Sequence, residues 1–240
     1  MKLVSEIGLD QGLMTNGTYA PELNEAILDN CKWVRFSLDS VDRDEYRETK
    51  GADLCNVVKD NIHKLVSLKR LRDKPISIGV NLNLMQKAGY KETIRKLSSF
   101  CKDSFVDYFQ IRPALPTPGQ KLDLKILNKQ IDYLKTLKGI NVSWDKFLDL
   151  QKVDYNRHYT RCAGQMFESV IHADGNMYAC MYRLEPRFFI GNISDGFTKV
   201  WSHKEIIPDL KNCQVCCKCH EINKLINLIE NKSIKDVNFI

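Results

Sequence analysis

No run of about 18 apolar residues occurs anywhere in the 240-residue chain, so no membrane-spanning helix is expected. The opening Met1-Lys2-Leu3-Val4-Ser5-Glu6 lacks the apolar core and small-residue cleavage site of a secretory signal, which makes a cytoplasmic location the expectation. Charge of one sign is not gathered into a tract: 36 basic and 30 acidic side chains are interleaved, and the net +6 reads as a solvated surface, not a nucleic-acid footprint. Internal repeats and low-complexity segments are also missing. With 43% hydrophobic and 28% charged residues, the chain is instead expected to bury an ordinary globular core.

Cysteine is what the chain has in excess. Of nine cysteines, six fall between Cys162 and Cys219, the last four in the run Cys213-Gln214-Val215-Cys216-Cys217-Lys218-Cys219. A reducing compartment favours metal binding or redox chemistry over structural disulfides for such a cluster, and an odd count agrees. Paired thiolates two residues apart, as in Cys213/Cys216 and Cys216/Cys219, can reach one zinc or one iron–sulfur cluster, and spacing does not separate the two. Cys31, Cys55 and Cys101 stand alone on strand or helix segments and read as small core residues.

Upstream, strand and helix signals alternate. Strands are expected at 11–17, 32–39, 76–84 and 106–112, and possible pairing continues at 140–144. Helices are expected at 1–7, from Pro21 to Asn30, at about 57–68 on the stripe Val57, Val58, Ile62, Leu65, Val66 and Leu68, at 90–100 and at 124–137. Ser40 to Asp53 reads as a polar connection. Such alternation argues an α/β fold of βα units on a parallel sheet or partial barrel over residues 1–150. Residues 151–240 behave differently: Val170 to Cys180 reads as a hairpin around Asp174-Gly175, Gly191-Asn192-Ile193 as a short strand, Phe197 to Trp201 as a helix, and 222–231 as a last helix.

These pieces carry a family resemblance. Cys162, twelve residues, Gly175, four residues and Cys180, then Gly191-Asn192-Ile193, Trp201 and a C-x-x-C run, resemble the SPASM or twitch extension of radical SAM enzymes, which holds an auxiliary [4Fe–4S] cluster. Thr15-Asn16-Gly17, Val34-Arg35-Phe36-Ser37-Leu38-Asp39, Val80-Asn81 and Gln110-Ile111-Arg112-Pro113 follow in the order of strands three to six of that family's barrel. The resemblance thus implies an incomplete radical SAM-type (β/α) barrel with a small cysteine-rich α+β C-terminal domain. It further implies Thr15, Ser37, Asn81 and Arg112 as contacts of S-adenosylmethionine, and Cys162, Cys180, Cys213 and Cys216 as cluster ligands. Cys217, Cys219 and His220 are alternatives for Cys216, and His172 is expected on the hairpin surface.

The family's C-x-x-x-C-x-x-C loop and its Gly-Gly-Glu-Pro segment do not occur in the sequence. The expectation is a C-terminal portion or degenerate form of a radical SAM oxidoreductase or modifying enzyme, which makes no 5′-deoxyadenosyl radical by itself. S-adenosylmethionine would then be used only with the missing part supplied, in one arrangement by a separate chain carrying it. The substrate could be a peptide, a sugar or another small molecule. The competing expectation is a non-catalytic scaffold stabilised by zinc or a cluster.

Overall fold

A computed structural model describes residues 1–114, 122–151, 159–180, 184–202 and 219–230. The chain divides into two compact units, Met1–Gln151 and Lys152–Ile240. No described helix is long and apolar enough to cross a membrane.

The first unit runs α1 (Lys2–Glu6), β1 (Gly12–Thr15), α2 (Leu23–Asn30), β2 (Trp33–Ser37), α3 (Arg43–Lys50), α4 (Cys55–Leu71), β3 (Ser77–Leu84), α5 (Tyr90–Asp103), β4 (Tyr108–Pro113), α6 (Leu124–Lys135), β5 (Asn141–Val142) and α7 (Trp144–Gln151). Its five strands are all parallel and stand in chain order, β1-β2-β3-β4-β5. Parallel neighbours in chain order need crossover connections, which the helices between the strands supply. Along the strands one alternation is apolar and buried: Val34, Phe36, Ile78, Val80, Leu82, Phe109 and Ile111 are each at most 6% exposed. They join Ile62 and Leu65 of α4, Ile94 and Leu97 of α5 and Ile131 of α6 in one core. Cys31, Cys55 and Cys101 are buried there, as small core residues.

Two helices depart from the sequence reading. The polar stretch after β2 folds as α3, because both ends are capped: Asp42 accepts the N–H groups of Asp44 and Glu45, each at 3.2 Å, and Gly51 closes the helix at φ 71°. Strand pairing near 140–144 reaches only Asn141–Val142, since the Ser143 carbonyl accepts from Lys146 and Phe147, and the wholly buried Phe147 anchors α7 instead.

A buried amide pair ties the connection after β1 to the helices. Asn61 of α4 donates to the carbonyls of Gly17 and Tyr19, each at 2.9 Å, while Asn24 of α2 accepts from the Tyr19 hydroxyl at 2.8 Å. Gly17 sits at φ 78°, where a Cβ would lie 2.8 Å from Val58 and 2.9 Å from Phe36. On the other sheet face, aromatic rings lie over glycines that are their direct cross-strand partners, Trp33 over Gly12 and Tyr108 over Gly79.

The second unit contains a 3₁₀ turn at Ala163–Met166, the antiparallel strands β6 (Val170–Ile171), β7 (Asn176–Tyr178) and β8 (Phe189–Asn192), and the helices α8 (Phe197–Ser202) and α9 (Cys219–Glu230). The β6–β7 hairpin turns at Gly175, φ 82°, with Asp174 Oδ1 accepting the Asn176 N–H at 2.9 Å. Asn192 of β8 reaches back to the Asp174 carbonyl and to Asn176 Oδ1. Helix α8 packs on Gly191, where a Cβ would come 2.9 Å from Val200.

Candidate functional site

Parallel strands carry partnered residues on the same face, so the register decides which side chains meet. Ser37, Asn81 and Gln110 lie side by side across β2, β3 and β4, and Asn83 lies beside Arg112. All five stand on the face opposite the apolar core, as do Arg35 and Tyr108. Three of the four S-adenosylmethionine contacts expected from the sequence, Ser37, Asn81 and Arg112, are therefore brought together. Thr15 partners the buried Phe36 and shares its alternation, and its hydroxyl accepts the Gly17 N–H at 3.0 Å. That geometry gives Thr15 the task of closing the turn after β1.

The polar face is cross-linked along its length. Arg35 donates to Gln110 Oε1 at 2.7 Å, and Gln110 donates in turn to Ser143 Oγ at 3.2 Å. At the C-terminal end of β2, Lys50 lies 2.6 Å from Asp39 and 3.3 Å from Ser37 Oγ, and Asp39 also accepts the Asn83 N–H at 2.8 Å. Burial pushes the Tyr108 hydroxyl upward, against the lowering effect of the nearby Arg35. Asn81 is 6% exposed; its amide donates to Asn83 Oδ1 at 3.2 Å, while its own Oδ1 has no hydrogen-bond partner among the described residues. An orphaned buried acceptor costs about 1–3 kcal/mol, and a ligand N–H or O–H would recover it.

Sequence reading missed Asp39, Lys50 and Gln110 at this face. Asp39 and Gln110 follow Ser37 and precede Arg112 at the two-residue period of a strand, which was a usable signal. Lys50 escapes a sequence reading because the stretch that folds as α3 reads as a polar connection.

In the second unit, Cys162 and Cys219 are buried side by side, 7% and 5% exposed. Hydrogen bonding with Cys219 pulls the Cys162 thiol down to about 6, opposed first by burial, helped by the Asn223 amide and the Gln165 backbone N–H, and opposed again by Glu168. Asn223 donates to Cys162 Sγ at 3.5 Å, and Cys219 donates to Glu168 Oε1 at 2.7 Å. His220 is held through Nδ1 by the Tyr159 hydroxyl at 2.6 Å. Cys180 ends the hairpin half-exposed, and His172 packs against Tyr178 with ring centroids 5.3 Å apart.

Two of the four expected ligands, Cys213 and Cys216, lie outside the described residues, as does Cys217. Among the described residues no group of three or more ligating side chains converges. The pair that does meet, Cys162 with Cys219, fits a soft metal through its donor type, two adjacent thiols of which one is already biased toward thiolate.

No family model matches this chain, and neither does any curated protein sequence. Solved structures do. SuiB of Streptococcus suis bound to S-adenosylmethionine aligns at TM-score 0.59 and 16% identity over 82% of this chain and 48% of SuiB. SuiB bound to the precursor peptide SuiA aligns at 0.59 and 17% over 89% and 51%. Native anSMEcpe with bound AdoMet aligns at 0.50 and 18% over 94% and 62%. The chain thus spans about half the length of SuiB. At such identities the likeness is one of fold: the chain shares the α/β fold of these S-adenosylmethionine-bound neighbours.

Proposed function

We propose that this chain works as part of a radical SAM enzyme, with the polar face of the parallel sheet holding S-adenosylmethionine and the cysteine-rich second unit holding an auxiliary [4Fe–4S] cluster. The observation that supports the reading is Asn81, a nine-tenths-buried amide whose Oδ1 has no partner among the described residues, on an otherwise cross-linked polar face. Its oxygen is suited to accept from a ribose hydroxyl or the methionyl ammonium, with Ser37 beside it. Lys50 and Arg112 supply positive charge for a carboxylate of the cofactor or of the substrate. Asp39 orients Lys50 and draws β2 and β3 together, and Thr15 orders the turn after β1.

In this reading the sheet is the part of a partial barrel that follows the cluster-bearing loop. A segment with the C-x-x-x-C-x-x-C loop, carried on this polypeptide or on a separate chain, would supply the radical-generating centre. Among the described residues β1 pairs on one side only, and its other edge offers unpaired backbone beside the exposed Met14. A strand added there would extend the series. Cys162, Cys180, Cys213 and Cys216, with Cys219 as the alternative to Cys216, would hold the auxiliary cluster, which when bound can accept an electron. SuiB is bound to a precursor peptide, and a peptide is the substrate class proposed for this chain.

Anaerobic reconstitution with iron and sulfide tests the second half of the reading. It should give a broad absorption at about 400 nm and about four irons per chain, both lost in the Cys162→Ala/Cys180→Ala double variant. One tightly held zinc and no cluster would replace the proposal with a metal-stabilised scaffold. Calorimetric titration with S-adenosylmethionine tests the first half: binding should weaken at least tenfold in Asn81→Leu, and equal binding by wild type and variant overturns the assignment.

A further inference from the structure

Asn223 is the side chain that joins the two halves of the cysteine node. It lies one helical turn after Cys219 on α9, so both project from the same helix face. It is 4% exposed, and both ends of its amide are engaged. Oδ1 accepts the backbone N–H of Gly164 at 2.7 Å, two residues beyond Cys162, and Nδ2 donates to Cys162 Sγ at 3.5 Å.

The orientation of this amide is chemically determined. A backbone N–H can only be met by the carbonyl oxygen, so the amide nitrogen must face the sulfur. Close approach of the two segments is fixed separately, by Gly164. A Cβ there would stand 2.7 Å from Cys219 Cβ and 2.9 Å from Cys219 Cα. The 3₁₀ turn and α9 therefore touch through a glycine, are pinned by one amide, and present their two thiols next to each other.

From this geometry we infer that Asn223 is a positioning residue of the metal centre, fixing the Cys162–Cys219 spacing and donating an N–H···S hydrogen bond to the Cys162 sulfur. The inference rests on the proposal that the second unit binds a metal. An N–H donor withdraws electron density from a ligating thiolate, which raises the reduction potential of the centre it serves.

Two substitutions separate the tasks. Asn223→Asp keeps an oxygen for the Gly164 N–H but loses the donor to sulfur, and Asn223→Leu loses both. With the full-length chain, Co(II) competition should show affinity falling about 10- to 100-fold in each variant. Redox titration of the iron–sulfur form should show a lower potential in Asn223→Asp than in wild type, with far-UV circular dichroism unchanged. Gly164→Ala should weaken Co(II) binding by driving the two segments apart while leaving Asn223 intact. A wild type that binds while both Asn223 variants bind as tightly, at the same potential, overturns the inference alone. A wild type that takes up neither Co(II) nor iron and sulfide overturns the metal reading and this inference together.

Discussion

The two units reach order by different physical routes. In Met1–Gln151 the sheet's helix-facing side and the helices above it bury a continuous apolar core, and the interior of β3 from Ile78 to Leu82 is buried throughout, as a central parallel strand requires. Among the described residues of Lys152–Ile240 the strands are two to four residues long, and the buried apolar side chains are Cys162, Ala163, Met177, Ala179, Phe188, Val200 and Cys219. Two of those seven are thiols, and two more are alanines. Small domains with short strands are commonly held by a cross-link or a metal, the role proposed here for the cysteines. Packing makes the first unit; sulfur chemistry is expected to make the second.

The sharpest way to break this contrast is to take away the metal proposed for the second unit. Chelation, or Cys162→Ala, should remove a binding free energy on the order of 10 kcal/mol from the second unit. Hydrogen exchange should then show α9 and the hairpin losing protection while β2 and β3 keep theirs. Equal loss in both units, or none in either, would erase the distinction.

The reverse experiment cuts into the packed unit. Phe36→Ala removes a wholly buried ring from the sheet's core side and should cost about 3–5 kcal/mol in urea unfolding of the first unit, without moving Co(II) affinity in the second. Asn61→Ala should cost about 2–3 kcal/mol, because the Gly17 and Tyr19 carbonyls lose their donor inside the protein.

A smaller effect is set by pH. Burial raises the Glu45 carboxyl, but the Ser40 hydroxyl at 2.6 Å, the Lys87 ammonium at 2.9 Å and the Thr93 hydroxyl at 2.7 Å outweigh it and hold the group below its ordinary range. A carboxylate lowered by folding stabilises the protein above its unfolded value of about 4.3, and that contribution disappears as pH falls through the folded value. The acid limb of the first unit's stability curve should be shallower in Glu45→Gln, and an identical limb would show that the network does not matter. Smallest of all is Arg95→Ala, whose ion pair with Glu92 is exposed on α5 and should leave the melting temperature unchanged.

Much of the first unit could be read from residue order because hydrophobic periodicity and strand composition are local signals. Helix α3 escaped because it has no apolar stripe; only its caps, Asp42 with Glu45 and then Gly51, announced it. Thr15 shows a different limit. A strand's own alternation is visible in sequence, but its phase against the neighbouring strand is not, so nothing local revealed that Thr15 shares a face with Phe36 and not with Ser37. In the second unit, Cys216 and Cys219 are equivalent by spacing. What distinguishes Cys219 is that it starts α9 and meets Gly164, a contact between residues 55 positions apart.

The rings lying over glycines on the polar face have an evolutionary consequence. Gly79 and Tyr108 face each other across β3 and β4, and a Cβ at 79 would fall 2.0 Å from the tyrosine ring. Gly12 and Trp33 repeat the arrangement across β1 and β2, at 1.9 Å. Neither member of such a pair is free to change alone: a side chain on the glycine strands the ring, and a smaller residue in place of the ring uncovers bare backbone. Each pair should therefore be inherited as one character, with related sequences keeping both residues or exchanging both, glycine for a larger residue and aromatic for a smaller one.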